Sequence, residues 1–308
     1  MVKPLIRRLT LHQLTIFAAL AQHGNMTRAA KALHMSTPAL SIQIKQMSDA
    51  IGMPLHEQIG RKLYLTDAGR RVEEAARDIL NRLEALGSEI AELQGLEQGR
   101  LRLSIITTAK YFVPKLLGSF CQLHPAIEVS LDVANRDQCL NRLERNLDDL
   151  YIMGKYPEAL AVEAVPFMQN PLLVIAPSGH PLAGRKNIPP KLLAEESFVM
   201  REQGSGTRLA AESFFESHKI ELKTRMTLGS NEAVKQAVAG GLGLAVLSQH
   251  TLTLDRASGA FAVLDVKGFP LIRQWYAVYP RGKRISAVTS AFLQYLISEG
   301  EKSTRRPA

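Results

Sequence analysis

Leu11, Leu14, Phe17, Ala18 and Ala21 recur three or four residues apart, the spacing that gathers apolar side chains on one face of a helix, and Gly24-Asn25 supplies its stop. A shorter helix over 27–33 turns Ala29, Ala30 and Leu33 inward. After His34-Met35, Ser36 stands where a helix N-cap belongs and Pro38 falls in the first turn of a third helix. Leu40, Ile44, Met47 and Ile51 form the buried stripe of that helix, and Gly52 with Pro54 ends it. Two small residues, Ala29 and Ala30, sit where helices must cross closely. The layout predicts a helix-turn-helix whose third helix can enter a DNA major groove. Residues 58–65 then read as a small hairpin, a wing, with Gly60-Arg61-Lys62 at its tip.

From Thr66 the period lengthens. Val72, Ala76, Ile79, Leu83, Leu86, Ile90 and Leu93 alternate by four and three, with Glu, Arg and Asp on the flanks. So narrow a seam needs a partner helix. It predicts a homodimeric coiled coil, with packing against the rest of the same chain as the alternative; a dimer would also set the spacing of two DNA half-sites. Residues 95–100 read as a hinge.

Beyond the hinge, strands and helices alternate. Strands are expected at 101–106, 127–133 and 150–153, with helices at 114–124 and 138–146 between them. A second unit follows, with strands at 171–176, 197–200, 225–228 and 244–247 and helices at 208–218 and 231–239. A last strand at 273–279 and a helix at 286–298 return to the first unit. This alternation predicts an α/β domain with parallel strands. The expected division is a winged helix-turn-helix at 1–65, a linker and dimerisation helix with hinge at 66–99, and a two-lobed domain at 100–308. Lobe I takes about 100–160 and 266–300, lobe II about 161–265, with crossovers near 158–163 and 248–265 enclosing a cleft.

Charge sharpens this division. The 308 residues carry a net charge of +9, yet residues 1–64 alone hold eight basic residues against Asp49 and Glu57, while 65–99 hold four basic and eight acidic. A compact basic block beside an acidic helix fits double-stranded DNA as a partner. On the third helix Thr37, Pro38, Ser41, Gln43 and Lys45 lie off the buried stripe, the hydroxyls and amide suited to base edges and Lys45 to phosphate. Thr27, Arg28 and Ser36 join them, and Arg61 and Lys62 would place cations on the DNA backbone or in the minor groove. No run approaches a membrane span, and the polar residues His12, Gln13 and Gln22 argue against a signal peptide, so a cytoplasmic protein is expected. Cys121 and Cys139 read as reduced thiols, with an 18-residue disulfide loop as the alternative.

In open α/β sheets ligands sit at strand C-termini beside helix N-termini. Three such loops are rich in donors: Thr107, Thr108, Lys110 and Tyr111 after the first strand; Arg201, Gly204, Ser205, Gly206, Thr207 and Arg208 leading into a helix; and Ser230, Asn231 and Glu232 capping the next. Asn135 and Arg136 add a fourth wall. Together these residues suit a small phosphate or carboxylate. Catalysis is not indicated. No histidine lies in these loops, Ser205 is not within G-x-S-x-G, no metal spacing appears, and Gly240-Gly-Leu-Gly243 follows a helix and precedes a strand, the reverse of a dinucleotide fingerprint. A pure solute carrier would need the cleft but not the basic N-terminal block.

Ala29-Ala30, Ser36-Thr-Pro-Ala-Leu-Ser41, Ile51-Gly-Met-Pro-Leu55 and Leu65-Thr-Asp-Ala-Gly69 resemble the LysR-type transcriptional regulators over nearly the whole chain. Within them, the segments at 107–112, 146–154, 201–208, 229–243 and 275–283 are similar to the branch regulating RuBisCO and carbon-fixation operons. There are departures: Leu55-His56-Glu57-Gln58 replaces the usual Leu-Phe-x-Arg before the wing, Ser48 stands for Glu, and Thr37 for Gln. The resemblance implies an α/β effector domain of two Rossmann-like lobes, similar to periplasmic solute-binding proteins, behind an all-α winged helix-turn-helix and a long linker helix. It further implies a dimer or tetramer acting with RNA polymerase and no cofactor. The implied effector is a phosphorylated metabolite or NADPH. Regulation of unrelated metabolic genes, or ligand binding without regulatory output, are the alternatives.

Overall fold

A computed structural model describes residues 8–59, 62–93, 99–253 and 259–305, without the side chains of 62, 88, 89, 91–93 and 303–305. Arg61, the side chains of Lys62 and Leu93, and hinge residues 95–98 lie outside that description. The chain divides into two compact units, residues 1–94 with 145–147, and 95–144 with 148–308.

In the first unit, α1 (Leu11–His23) opens on a capping box in which Thr10 Oγ1 accepts from the Gln13 amide and Gln13 Oε1 from the Thr10 amide, both at 3.1 Å. Asn25 caps α2 (Met26–Ala32), and Ser36 caps α3 (Thr37–Ile51) through the Ala39 amide at 3.3 Å. Ile16, Phe17, Leu20, Ala29, Ala30, Leu40, Ile44 and Met47 make the core. Strands β1 (His56–Ile59) and β2 (Lys62–Leu65) pair antiparallel, so the wing adds a sheet to an otherwise helical unit.

The helix α4 (Asp67–Leu93) starts where Thr66 Oγ1 accepts from the Gly69 amide and donates to the Pro54 carbonyl. A side chain on Gly69 would place Cβ 1.9 Å from the Leu55 carbonyl oxygen, so this approach requires glycine. The seam expected from the heptads divides here. Ala76 is fully buried in the helix-turn-helix core and is not available to a partner helix, and Val72 packs partly against the same core. The reason is local: the first turns of α4 close a core that three short helices leave open. Ile79, Leu83, Leu86 and Ile90 remain 42–46% exposed.

In the second unit, parallel β4 (Ile127–Ala134), β3 (Gly99–Ile106) and β5 (Leu150–Met153) lie side by side, with α5 (Val113–Leu123) and α6 (Arg136–Glu144) as crossovers. Antiparallel β11 (Leu271–Pro280) follows β5 in the sheet and pairs with β6 (Val162–Pro177). The C-terminal α9 (Ala287–Arg305) contributes Phe292 and Leu296 to a core with Leu103, Phe120, Ile152 and Trp275. This is lobe I.

In lobe II the far half of β6 pairs with β9 (Ala245–Ser248) and β10 (Phe261–Leu264). Parallel β7 (Ser197–Arg201) and β8 (Lys223–Leu228) join β9 through 2.8 Å bonds between Val199 N and Leu244 O and between Leu244 N and Ser197 O. Helix α7 (Gly206–Ser217) packs on a core of Leu172, Phe198, Phe215, Leu244 and Val266, and α8 (Asn231–Ala239) on a second one with Ile175, Val199, Ala245 and Leu247.

Two boundaries differ from expectation. The strand expected to start at Pro171 starts at Val162, so the supposed crossover at 158–163 runs directly into sheet. Pro166 and Pro171 disguise it: Trp275 pairs with Met168 and Tyr276 with Pro166, leaving Phe167 as the extra residue of a bulge. Nor is the second crossover at 248–265. There β10 still pairs within lobe II, and Val266, Phe269 and Leu271 pack in its core, so the return is made by β11. Both lobes therefore share two long strands rather than two loops. The two cysteines are free thiols, and no disulfide joins them. Among the described residues no helix is long and apolar enough to cross a membrane, and no cluster has the ligands for a metal.

Candidate functional site

The cleft between the lobes of the second unit is lined by Thr107 and Thr108 just after β3, Arg136 at the start of α6, Gly154 and Lys155 after β5, Asn170 and Leu172 of β6, Arg201, Glu202, Ser205, Gly206 and Thr207 around the end of β7 and start of α7, and Arg273 and Trp275 of β11. Four cations thus face one carboxylate, Glu202. That carboxylate is taken by Arg201, which grips it through Nε and Nη2 at 2.7 Å each. At the start of α7 the hydroxyl of Ser205 makes no capping bond, and the first amides of the helix are left for a ligand. Ser205 and Thr207 are both buried. These amides and hydroxyls at a helix N-terminus line the same cleft as Arg136, Lys155 and Arg273, an arrangement whose chemistry suits an anion.

Other expected residues hold the lobes to one another. Arg201 donates from Nη1 to Asn231 Oδ1 and from Nη2 to Thr107 Oγ1 at 3.3 Å, and Asn231 Nδ2 donates to Thr108 Oγ1 at 3.2 Å. At the rim, Tyr111 donates its hydroxyl proton to Glu232 Oε1, while Lys110 Nζ and Ser230 Oγ reach Oε2 at 3.1 Å. Burial pushes the Glu232 carboxyl up, but these donors outweigh it and hold its pKa at about 2. Lys110 and Lys235 also lie over the Tyr111 ring, 5.4 and 5.0 Å from its centre.

Several expected ligand contacts are corrected by this geometry. Lys110, Tyr111, Ser230 and Glu232 do not line the cleft; they latch it. Asn231 is buried in the same interlobe network. Arg208 points away, donating to Glu212 at 2.7 Å and to the Arg201 carbonyl at 3.0 Å. Asn135 and Gln138 exchange side-chain-to-backbone bonds at 2.9 and 3.3 Å, so Asn135 caps α6. Gly204 supplies a left-handed turn, φ 79°, beside the Asp137 carboxylate. Arg136 lines the cleft as expected, its guanidinium also donating to the Lys155 carbonyl, and burial lowers its pKa. Sequence reasoning missed Gly154, Lys155, Asn170, Glu202, Arg273 and Trp275. Asn170 lies on β6, whose path Pro166 and Pro171 concealed; Arg273 and Trp275 lie on β11, an expected strand whose pairing with β6 was not foreseen, and Gly154 and Lys155 directly follow β5.

In the first unit Thr27, Arg28, Ser36, Pro38, Ser41 and Lys45 are exposed and Thr37 is half-buried. Gln43 is corrected: it is half-buried, and its Oε1 accepts from Gln13 Nε2 at 3.2 Å, bracing α3 on α1. The residues that complete the exposed face are Ile42, 55% exposed, and Gln46. Their signal was their spacing from Pro38 and Ser41, and an aliphatic at 42 suits contact with a thymine methyl. His56 Nδ1 is buried without a partner and burial lowers the imidazole pKa.

Comparison with known proteins gives a consistent answer. Residues 11–70 match the family described as bacterial regulatory helix-turn-helix protein, lysR family, and residues 94–301 match the LysR substrate binding domain. A RuBisCO operon transcriptional regulator of Acidithiobacillus ferrooxidans is 54% identical, the match covering 98% of each chain. The HTH-type transcriptional activator CmpR of Synechocystis is 49% identical over 96% of this chain and 97% of that one. The Synechocystis CcmR regulatory domain in complex with 2-PG is 51% identical, with a TM-score of 0.65, over 68% of this chain and all of that domain. Full-length OxyR of Pseudomonas aeruginosa, 22% identical with a TM-score of 0.73 over 95% of both chains, shares the fold.

Proposed function

Given that the chain belongs to the LysR family of bacterial transcriptional regulators, which bind DNA and a small effector and are not enzymes, we propose that it governs carbon-fixation genes in response to a small phosphorylated acid held in the interlobe cleft. The observation that carries this reading is the unsatisfied start of α7 facing Arg136, Lys155 and Arg273, a cradle for a compact anion. The 2-PG bound by the CcmR regulatory domain, read as 2-phosphoglycolate, is an anion of that kind.

The output is the exposed face of α3, with Ser41, Ile42 and Lys45 on bases and phosphates and Arg28, Arg61 and Lys62 on the backbone. The Ile79–Ile90 stripe of α4 pairs with a second copy, and dimers assemble further into a tetramer that acts with RNA polymerase. An effector alters DNA binding only through unequal affinity for two arrangements of the assembly. Footprinting on the chain's own upstream region, with and without 2-phosphoglycolate and with NADPH as the competing ligand, tests the proposal. A changed protection pattern with 2-phosphoglycolate supports it. Identical footprints at saturation, or no preference over random duplex at several salt concentrations, overturn it.

A further inference from the structure

Three residues of the loop between α6 and β5, Arg145 to Leu147, fold with the first unit, although the chain on either side of them belongs to the second. Two of them grip α4. Glu73 of α4 is buried, and its carboxylate accepts from Arg77, one turn further along the helix, and from Arg145. Asn81 Nδ2 donates to the Asn146 carbonyl at 3.0 Å, and Asn146 Nδ2 to Asp78 Oδ1 at 3.3 Å. Side chains advance by about 100° per residue along a helix, so Glu73, Arg77 and Asn81 share one face of α4. By the same spacing that face is turned away from the Ile79–Ile90 stripe. It begins beside Val72 and Ala76, which pack in the helix-turn-helix core.

The loop is pinned at both ends. Arg142, in the last turn of α6, donates to the two oxygens of the buried Asp148 carboxylate at 2.8 and 2.7 Å. The Tyr151 hydroxyl donates to the Arg142 carbonyl at 2.8 Å and accepts from the Asp148 amide at 2.9 Å. A displacement of α6 is therefore passed to residues 145–147 rather than absorbed by slack in the chain. At its other end α6, nine residues and about 13 Å long, begins with Arg136, which lines the cleft.

We propose that the loop 145–147 is the coupling through which the cleft acts on α4. An anion that draws on Arg136 displaces α6, and Arg145 and Asn146 carry the displacement to Glu73, Asp78 and Asn81. This alters how α4 is held between the core it closes and the stripe it offers a second copy. The inference takes its trigger from the cleft being the effector site and goes beyond that reading in naming the route. Coupling of this kind is a free energy shared by two sites, and it is lost when the joint is cut while each site keeps its own ligand.

Arg145→Met keeps an unbranched stem and loses the charge. Asn146→Gly keeps the left-handed backbone, φ 48°, and loses the bond to Asp78. Neither residue lines the cleft or lies on α3. In the full chain both variants should bind 2-phosphoglycolate within about twofold of the unsubstituted protein by calorimetry, while the change this ligand makes in binding to the chain's own upstream duplex falls at least threefold. A retained response, or loss of 2-phosphoglycolate binding itself, overturns the coupling. A second arm needs no ligand. Arg145→Met and Glu73→Gln each remove the same ion pair, so each should shift the dissociation constant for the duplex by about threefold or more, and the double variant no further. Should 2-phosphoglycolate fail to bind the unsubstituted chain, or bind without altering its hold on DNA, the proposed function fails and this cycle alone decides: additive shifts, or none, overturn the coupling.

Discussion

Replacing Glu232 by Gln removes the charge on which the rim of the cleft is latched. Two of the bonds lost cross between lobes, the Tyr111 hydroxyl and the Lys110 ammonium at 3.1 Å, whereas Ser230 belongs to the same lobe as Glu232. The side chains of Lys110 and Glu232 are 37% and 47% exposed, so their ion pair contributes only about 0.2–1 kcal/mol. A hydrogen bond to a charged group is worth ~1.5–3 kcal/mol when shielded and less at this exposure. Together they favour the closed lobes by about 1–2 kcal/mol, roughly a tenfold change in the closed-to-open ratio. Effector affinity should fall by up to that factor, since only the closed fraction binds. Calorimetric titration with 2-phosphoglycolate measures it, and a cycle with Tyr111→Phe should be strongly non-additive because both changes remove one bond. The pH dependence has a definite sign. A carboxyl whose folded pKa is depressed from 4.5 to about 2 contributes fully above the former and loses its contribution as pH falls through the latter. The latch should therefore not titrate between pH 5 and 8. Unchanged affinity in Glu232→Gln, or simple additivity with Tyr111→Phe, would refute the reasoning.

Leu83→Asp with Leu86→Asp places charges on the exposed stripe of α4 and should abolish the proposed dimer, leaving monomers by light scattering; a persisting dimer would locate the interface elsewhere. Gly300→Ala would bring Cβ to 1.5 Å from the Phe167 carbonyl oxygen and should cost about 3 kcal/mol or more in urea unfolding, while Gly118→Ala, with open space around it, should not destabilise. Lys45→Ala should weaken operator and random DNA alike and make the salt dependence shallower by about one phosphate contact. Burial lowers the pKa of His250, whose ring packs tilted against Phe112 with centroids 5.0 Å apart and bonds the Gln169 carbonyl. The neutral ring then stabilises fully above pH 6.5 and progressively less as pH falls toward the folded value, so the urea midpoint should drop from pH 7.5 to 5.5, less steeply in His250→Phe.

Where local chemistry and tertiary packing agree, the elements were legible. The N-cap at Ser36, the stop at Gly24-Asn25 and the alternation from Leu101 onward mark structure in the chain itself. The heptad of α4 was legible as a period but not as a destination. Val72 and Ala76 satisfy the seam's spacing equally well, and only the open core of three short helices claims them. The strand beginning at Val162 was obscured because Pro166 argues against a strand, and the bulge that accommodates it depends on a partner more than 100 residues away. That omission hid Asn170, while Arg273 and Trp275 lay in a strand expected at 273–279 whose pairing with β6 was not foreseen, so the donor-rich loops were visible and the wall facing them was not. Sequence also shows which residues can donate, not to whom. Arg201 and Glu232 look as suited to an effector as Thr207 does, and only coordinates reveal that their bonding capacity is spent between lobes.

That expenditure bears on how an anion can act. Because Thr107–Arg201, Thr108–Asn231 and the Glu232 latch already join the lobes, ligand bridging is not needed to bring them together. Opposing these bonds, closure gathers Arg136, Lys155 and Arg273 against the positive start of α7, with the cleft's own carboxylate already neutralised by Arg201. Like charges confined in a partly desolvated cleft repel more strongly than in water. Under the proposed function an anion would lower the energy of the closed form by cancelling that repulsion and would gain far less from an open one, where solvent screens the same cations. The differential affinity required of an effector thus follows from the balance of latch and repulsion, and neutralising two of these cations by mutation should favour closure while weakening the ligand's ability to bias it.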